Sequence, residues 1–388
     1  MHILKKMLIL VIVFVTIYMI HYLLKTRNTL KAQQELEKKH VEGFGEDEIQ
    51  KVIQSNEPVA ITAVLDKFLG LPLREFIVKS SYNSAISGTY ANSEMIRILL
   101  QRGVRLLDFE IYTDGNIEYV SYSKDSDFTM STANEPLDRL SLANALGTVN
   151  SYSFIMPSPS PNDPLFLLLR VKNNFVKEEN KKQVYTRIAD ILKTTFPNRL
   201  YQDSAGKAIE VNGSTPFKDI MGKIVIIFDT EGKISDYHNS CANDKNACSE
   251  IYPLVNIPAN IASGLPIYNY DDITTKYHER VLQEGEGFGT TIKTFVMVAP
   301  PVDDIIQFPP PKEVINSSFP QFILYKFYIK NANLAEYEDI FNEANSSFVP
   351  ISSFLITKGE PQTENKNFIK SAIQQKPAGP LGFSFKLW

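Results

Sequence analysis

The sequence predicts an α/β chain whose main domain is a TIM-type (β/α)8 barrel, regular or locally distorted, behind an N-terminal transmembrane helix. Short apolar segments with strand character alternate with amphipathic helical segments, which is the pattern of a parallel barrel. A length of 388 residues and a hydrophobic content of 44% are sufficient for one large core. An uncharged apolar run near the start predicts the helix. We divide the chain into an anchor (1–25), a helical stalk (26–56), a barrel (57–355) and a tail (356–388).

The anchor lies between Lys6 and Lys25, where residues 7–24 carry no formal charge. This run, MLILVIVFVTIYMIHYLL, can span a bilayer if it is little tilted. No small-x-small cleavage site follows it, which favours an uncleaved single-pass anchor over a signal peptide. Basic residues flank both ends, so the positive-inside rule leaves the topology open. We therefore expect residues 7–24 to bind a membrane.

The stalk is rich in Lys, Glu and Gln, a composition that favours a helix, and Gly43 and Gly45 end it. It lacks the sustained apolar heptad that a partner-binding coiled coil requires. We therefore expect a helical spacer that continues the membrane helix.

The barrel region begins with a short predicted helix at 61–69. The predicted strands are 75–79, 105–112, 117–122, 165–172, 223–229, 293–298 and 322–329, and the predicted helices are 93–102, 140–149, 181–195 and 334–345. One further strand is expected between residues 229 and 293, a region too long for a plain connection. The proline-rich run at 308–312 predicts an extended connector.

Two carboxylates, Asp108 and Glu110, fall on one face of the predicted strand 105–112, because side chains alternate along a strand. Carboxylates among Leu, Phe and Ile are costly to bury unless a cation, a metal or several donors meet them. The sequence therefore predicts a positive partner opposite this pair. The alternative is that one of the two acids reaches solvent at the end of the strand.

The ordered motifs of residues 75–355 resemble the phosphatidylinositol-specific phospholipase C X-domain family. SYNSAISG is similar to the element that follows the family's first barrel strand, and RGVRLLDFEIYTDG is similar to its second strand. DPLFLLLRVKNN, MGKIVIIFD and FPQFILYKFYIKNANL then continue the family's order. The resemblance implies a barrel in which two histidines serve as general base and general acid, and in which some members use calcium.

The positions that match the family's two histidines hold Tyr82 and Ser121. Neither side chain exchanges protons readily near neutral pH when its pKa is unperturbed. The position of the last calcium ligand holds Arg170, whose guanidinium stays protonated and has no acceptor. The resemblance therefore implies a degenerate site with no catalytic residue and no resident metal.

The resemblance also implies what is retained in this pocket. Asn83 keeps the first oxygen ligand, and Asp108 and Glu110 keep the acidic pair in swapped order. We expect Arg170 to pair with at least one of these carboxylates in place of a metal. The predicted pocket consists of Asn83, Asp108, Glu110, Arg170 and Lys172.

Three functions compete on these grounds. The first is a membrane-anchored, catalytically inactive phospholipase C-like barrel that acts as a structural or interaction protein with protein partners. The second is a phosphoinositide- or phosphate-binding module, and the third is a phosphoric diester hydrolase with a non-standard site, which alone would use calcium. The first is similar to degenerate anchored proteins of large double-stranded DNA viruses, which implies a place at a virion inner membrane. A net charge of −4 without a basic domain argues against nucleic acid as a partner.

Two further features leave alternatives open. Cys241 and Cys248 are the only cysteines, and they can close a small disulfide loop in an oxidising compartment or stay reduced thiols. The aromatic residues of the tail, Phe383, Phe385 and Trp388, either dock on a partner or pack on the barrel.

Overall fold

The structure is a computed structural model. It describes Met19 and residues 59–88, 90–113, 117–122, 139–172, 178–229, 251–259, 265–270, 273, 296–300 and 309–354. The stalk, the tail, both cysteines and all of the anchor except Met19 lie outside these residues. None of the helices within the described ranges combines the length and the apolar composition needed to cross a bilayer.

Eleven strands form one sheet in the described part of the chain. They are β1 (Phe76–Ser81), β2 (Leu106–Thr113), β3 (Glu118–Ser121), β4 (Leu140–Ser141), β5 (Leu165–Val171), β6 (Ile224–Asp229), β7 (Ile257–Ala259), β8 (Ile267–Asn269), β9 (Met297–Ala299), β10 (Phe322–Tyr325) and β11 (Phe348–Pro350). The strand order β7-β6-β5-β2-β1-β10-β9-β8 is parallel throughout. A parallel bridge between Ala259 and Leu265 joins its two ends, so the eight strands form a nearly closed barrel. The predicted TIM-type fold is thereby confirmed.

Two of the strand predictions need correction. Segment 117–122 forms β3, which pairs antiparallel with β2 and therefore is not a barrel strand. The region between 229 and 293 supplies two barrel strands, β7 and β8, where we expected one. Each is only three residues long, which is too short to show a periodic pattern in the sequence.

The helices cover the outside of the barrel: α1 (Ser93–Gln101), α2 (Leu142–Ser153), α3 (Glu178–Thr195), α4 (Pro311–Ser318) and α5 (Ala332–Ala344). The four predicted helices are present. The side chains of Asn92 and Asn331 accept hydrogen bonds from backbone amides in the first turns of α1 and α5, which fixes where these helices begin.

Two predictions about local structure were wrong. Residues 311–312 belong to α4 rather than to an extended connector, because proline fits the first position of a helix, where no amide hydrogen is needed. The helix predicted at 61–69 is reduced to a short 3-10 turn, Asp66–Phe68. Pro72, in an extended conformation, separates this turn from a second one, Leu73–Glu75.

The core has two layers, because successive side chains of a strand point to opposite faces. On β5, Phe166 and Leu168 belong to the cluster that fills the barrel, whereas Leu167 and Leu169 pack in the cluster under the helices. The same alternation places Arg170 on the inner side at the carboxyl end of the barrel. Which side chains can form the site therefore depends on which positions of each strand face the barrel interior.

Candidate functional site at the carboxyl end of the barrel

Three neighbouring strands bring charged residues side by side inside the barrel. Glu110 of β2 lies in register with Arg170 of β5, and Arg170 lies in register with Asp229 of β6. Asp108 lies one inward position below Glu110 on β2. All four side chains are buried. The parallel register thus places one guanidinium among three carboxyl groups.

The guanidinium group of Arg170 contacts both predicted acids, Asp108 and Glu110. Its Nε donates to Asp108 Oδ1 at 2.7 Å, and its Nη2 lies 2.6 Å from Asp108 Oδ2. Its Nη1 lies 2.9 Å from Glu110 Oε1, and Nη2 also donates to Asn83 Oδ1 at 2.9 Å. The expected ion pair is present, and the structure brings these four predicted pocket residues together. Charge-assisted, bidentate contacts of this kind are among the stronger hydrogen bonds in proteins.

The carboxylates have further donors. The backbone amide of Asn83 donates to Asp108 Oδ2 at 2.9 Å. Asn83 has a φ of 45°, in the left-handed region that asparagine tolerates better than most residues. The hydroxyl of Tyr112 donates to Glu110 Oε2 at 3.0 Å. Each member of the inner cluster, which we define as Asn83, Asp108, Glu110 and Arg170, is therefore engaged by at least one other member.

The residues at the two histidine-like positions both lie beside Glu110. The ring of Tyr82 lies 4.7 Å from Arg170 Cζ, so it stacks on the guanidinium, and its hydroxyl lies 3.4 Å from Glu110 Oε1. Ser121 is buried on β3, opposite Glu110 in the antiparallel register. All five histidines of the chain fall outside the described residues.

Electrostatics within the cluster follow from burial and from the guanidinium. Burial raises the pKa of Asp108, and Arg170 and the Asn83 amide oppose that shift. Burial also acts to raise the pKa of Glu110, but Arg170, Lys172 and the Tyr112 hydroxyl together hold it below its usual range. Burial is the main cause of the raised pKa of Tyr82. A neutral tyrosine with a raised pKa is a poor proton acceptor at neutral pH.

The cluster does not fit a resident calcium ion. Calcium needs six to eight oxygen ligands. Asp229 lies on the neighbouring strand, and the oxygens in contact with Arg170 belong to Asn83, Asp108 and Glu110. These oxygens accept hydrogen bonds from Arg170, whose guanidinium supplies positive charge but no lone pair. In the described part of the chain, no group of three or more His, Cys, Asp or Glu side chains could hold a metal.

Sequence reasoning missed two buried charges of this end. Asp229 closes β6 beside Arg170, and Lys326 follows β10 with its Nζ 5.7 Å from the ring centre of Tyr82. Both could have been found from one signal, a charged residue at the carboxyl end of an apolar strand. The sequence-predicted Lys172 is buried just beyond β5, and its charge lowers the pKa of Glu110.

Comparisons with known proteins agree with the barrel fold. Residues 69–229 match the family model described as phosphatidylinositol-specific phospholipase C, X domain. The match and the barrel define the class: the chain contains a phospholipase C-like α/β barrel. No curated protein matches the chain.

Two solved structures with the same fold are similar to this chain. PLC21 of L. pealei has 16% identity and a TM-score of 0.51, over 73% of this chain and 37% of its own. PLC21 of S. officinalis has 14% identity and a TM-score of 0.52, over 76% of this chain and 39% of its own. The chain thus spans well under half the length of both structures, and at these identities the likeness shows the fold alone.

Proposed function

We propose that this chain is a catalytically inactive phospholipase C-like barrel, held on a membrane by residues 7–24, that acts as a structural or interaction protein. The observation that carries the proposal is the position of Arg170. Its guanidinium meets both carboxylates and Asn83 where the resemblance implies a metal. We extend the proposal to a role between a virion inner membrane and its shell, and this part rests only on the resemblance to anchored viral proteins stated from the sequence.

Among the described residues, the side chains at the two histidine-like positions are poor proton-transfer groups, which supports the proposed inactivity. Phosphodiester cleavage needs a base for the attacking hydroxyl and an acid for the leaving alcohol, and each is typically worth about 10²–10⁴ in rate. Tyr82 has a raised pKa, and the hydroxyl of Ser121 is no proton acceptor at neutral pH. Asp108 and Glu110 are engaged by Arg170.

The test is hydrolysis of phosphatidylinositol in mixed micelles by the full chain, with and without calcium. We expect no product above the buffer rate, and no change on Tyr82→Phe or Ser121→Ala. Turnover that survives both substitutions but disappears on Asp108→Asn would show that the site performs chemistry through its acids.

Anchoring is tested separately by carbonate extraction. The full chain is expected to stay in the membrane fraction, whereas a shortened chain that begins at Glu57 is expected in the supernatant. Release of the full chain by carbonate would contradict a spanning segment at 7–24.

A second candidate, binding of a phosphate group without chemistry, is favoured by the cations at the carboxyl end. Lys172 and Lys326 are buried there beside the Arg170 cluster. Flotation of the shortened chain that begins at Glu57, with phosphoinositide-containing vesicles and with phosphatidylcholine alone, tests it without the contribution of residues 7–24. A headgroup preference that is lost on Lys172→Ala or Lys326→Ala would support the binder, and equal flotation on both vesicles would oppose it.

A further inference from the structure

The described barrel begins and ends at the amino end of its strands. Near its start, the backbone amide of Thr62 donates to the carbonyl of Asn345, the residue that caps the end of α5. Near its end, β11 pairs antiparallel with β1, from Phe348 opposite Val78 to Pro350 opposite Phe76. This strand therefore runs toward the amino end. The segments that lead to residues 7–24 and to the tail both join the barrel opposite its charged pocket.

The exposed large apolar side chains of the described barrel lie at this same end. Leu65 precedes β1, Ile155 and Met156 precede β5, and Ile209 precedes β6. Ile155 is 55% exposed and Met156 is 80% exposed, and the following Pro157 is exposed as well. We call residues 155–157 the apolar tip. Exposed neighbouring apolar residues commonly mark a contact surface.

A buried guanidinium fixes the loop that exposes the apolar tip. Arg105, with no solvent exposure, donates from Nε to Ser160 Oγ at 3.0 Å and from Nη1 to the carbonyl of Ser153 at 3.1 Å. Its Nη2 donates to Ser158 Oγ at 2.7 Å. These contacts fix the chain on both sides of the tip. The exposure of Ile155 and Met156 is therefore built into the fold.

The basic side chain of Arg199 lies beside the start of the tip. The guanidinium carbon of Arg199 lies 4.7 Å from the ring centre of Phe154, the buried residue just before the tip. Arg199 Nη1 also donates to the carbonyl of Gly222 at 3.3 Å, and Lys223 comes next in the chain. A protruding apolar tip with a cation beside it suits the interface of a bilayer that carries anionic headgroups.

We propose that the amino end of the barrel faces the membrane that holds residues 7–24, with Ile155 and Met156 inserted at the lipid interface. This inference rests on the proposed anchoring. It turns the carboxyl end, with Arg170, away from the bilayer. A lipid of the same membrane then cannot reach the barrel pocket, and that end is left for partners on the far side.

The experiment places a tryptophan at each end of the full chain. In a Trp388→Phe background, Met156→Trp marks the tip and Ala332→Trp marks the exposed start of α5 at the carboxyl end. Each chain is reconstituted into vesicles of phosphatidylcholine and phosphatidylserine, with or without chain-brominated phosphatidylcholine. Unchanged thermal unfolding shows that the variants fold.

We expect bromolipid to remove most of the fluorescence of Met156→Trp and none of that of Ala332→Trp. Quenching of Ala332→Trp alone, or of neither residue in chains that float with the vesicles, would overturn the orientation and leave the anchoring intact. A blue-shifted, unquenched Met156→Trp would mean that protein covers the tip, and would also overturn the proposal. Chains that do not float would overturn the anchoring and this inference with it.

Discussion

Two buried ionic clusters lie on opposite faces of the same sheet, and they serve different purposes. The inner cluster pairs Arg170 with two carboxylates inside the barrel. The outer cluster, which we define as Lys79, Arg102 and Glu338, pairs two cations with one carboxylate between barrel and helices. Arg102 donates to Glu338 from Nε at 2.7 Å and from Nη2 at 2.6 Å. Lys79 Nζ lies 3.4 Å from Glu338 Oε1 and donates to the Arg102 carbonyl at 2.8 Å.

The difference shows that the role of a buried charge depends on whether its side chain points to the inside or the outside of the barrel. Lys79 points outward from β1, so the outer cluster joins this strand to the end of α1 and to α5. Asp108 and Arg170 point inward at the carboxyl end, where barrels of this type hold their sites. The outer cluster fastens two helices to the sheet. The inner cluster occupies a functional position and fills it with an internal ion pair.

The largest expected effect is on the inner cluster. Arg170→Ala leaves Asp108 and Glu110 unpaired, and because the arginine side chain is only 9% exposed, we expect a loss of about 3–5 kcal/mol in the free energy of unfolding. Urea unfolding measures it. Adding Asp108→Asn to Arg170→Ala should recover part of the loss, since one unpaired charge is removed. A loss below about 1 kcal/mol, which is typical of a solvent-exposed ion pair, would show that water fills the site.

The outer cluster should show a smaller effect. Glu338→Ala removes the carboxylate that pairs with Lys79 and Arg102. Because the Glu338 side chain is 11% exposed, we expect a loss of about 2–3 kcal/mol in the free energy of unfolding, again measured in urea. Glu336→Ala is the matched control on the same helix. Its pair with Lys312 has side chains 32% and 60% exposed and should contribute less than about 1 kcal/mol. Equal losses for the two variants would contradict the account of the outer cluster.

The outer cluster also predicts a pH dependence. Burial lowers the pKa of Lys79 from 10.5 to about 8, although Glu338 opposes the shift. Between these values the native state binds fewer protons than the unfolded state, so stability should rise with pH from about 8 toward 10. Lys79→Met should flatten this rise. A slope unchanged by the substitution would show that other groups cause it.

The smallest effect should come from Tyr82. Tyr82→Phe removes a hydroxyl that lies 3.4 Å from Glu110 but keeps the ring under Arg170, so we expect a loss of less than about 1 kcal/mol in the unfolding free energy. Tyr82→Ala removes the ring as well and should destabilise the chain more. If the two variants lose the same amount, the stacking contributes nothing.

The inner cluster could be predicted from sequence, and the outer one could not. Alternation along one strand placed Asp108 and Glu110 together, and the resemblance named Arg170 as the residue at the cation position. Glu338 lies 236 residues from Arg102, and no local pattern links a helix glutamate to the end of a distant helix. The position of Arg105 under the apolar tip was missed for the same reason, since its partners Ser158 and Ser160 carry no charge signal.

The fold was predictable where its elements are long. Strands of six to eight residues, such as β1, β2 and β6, gave recognisable apolar runs. The three-residue strands β7 and β8 are held by parallel neighbours rather than by their own pattern. Whether such a short segment forms a strand depends on pairing with other strands, and the sequence alone does not show that pairing.

The central claim is that Arg170 takes the place of a metal, and a calcium titration of the full chain followed by calorimetry tests it most directly. We predict no heat of binding for the wild-type chain and none for Asp108→Asn, because the oxygens of Asn83, Asp108 and Glu110 are already engaged by the guanidinium. Saturable binding of calcium by the wild-type chain that is lost on Asp108→Asn would contradict the claim.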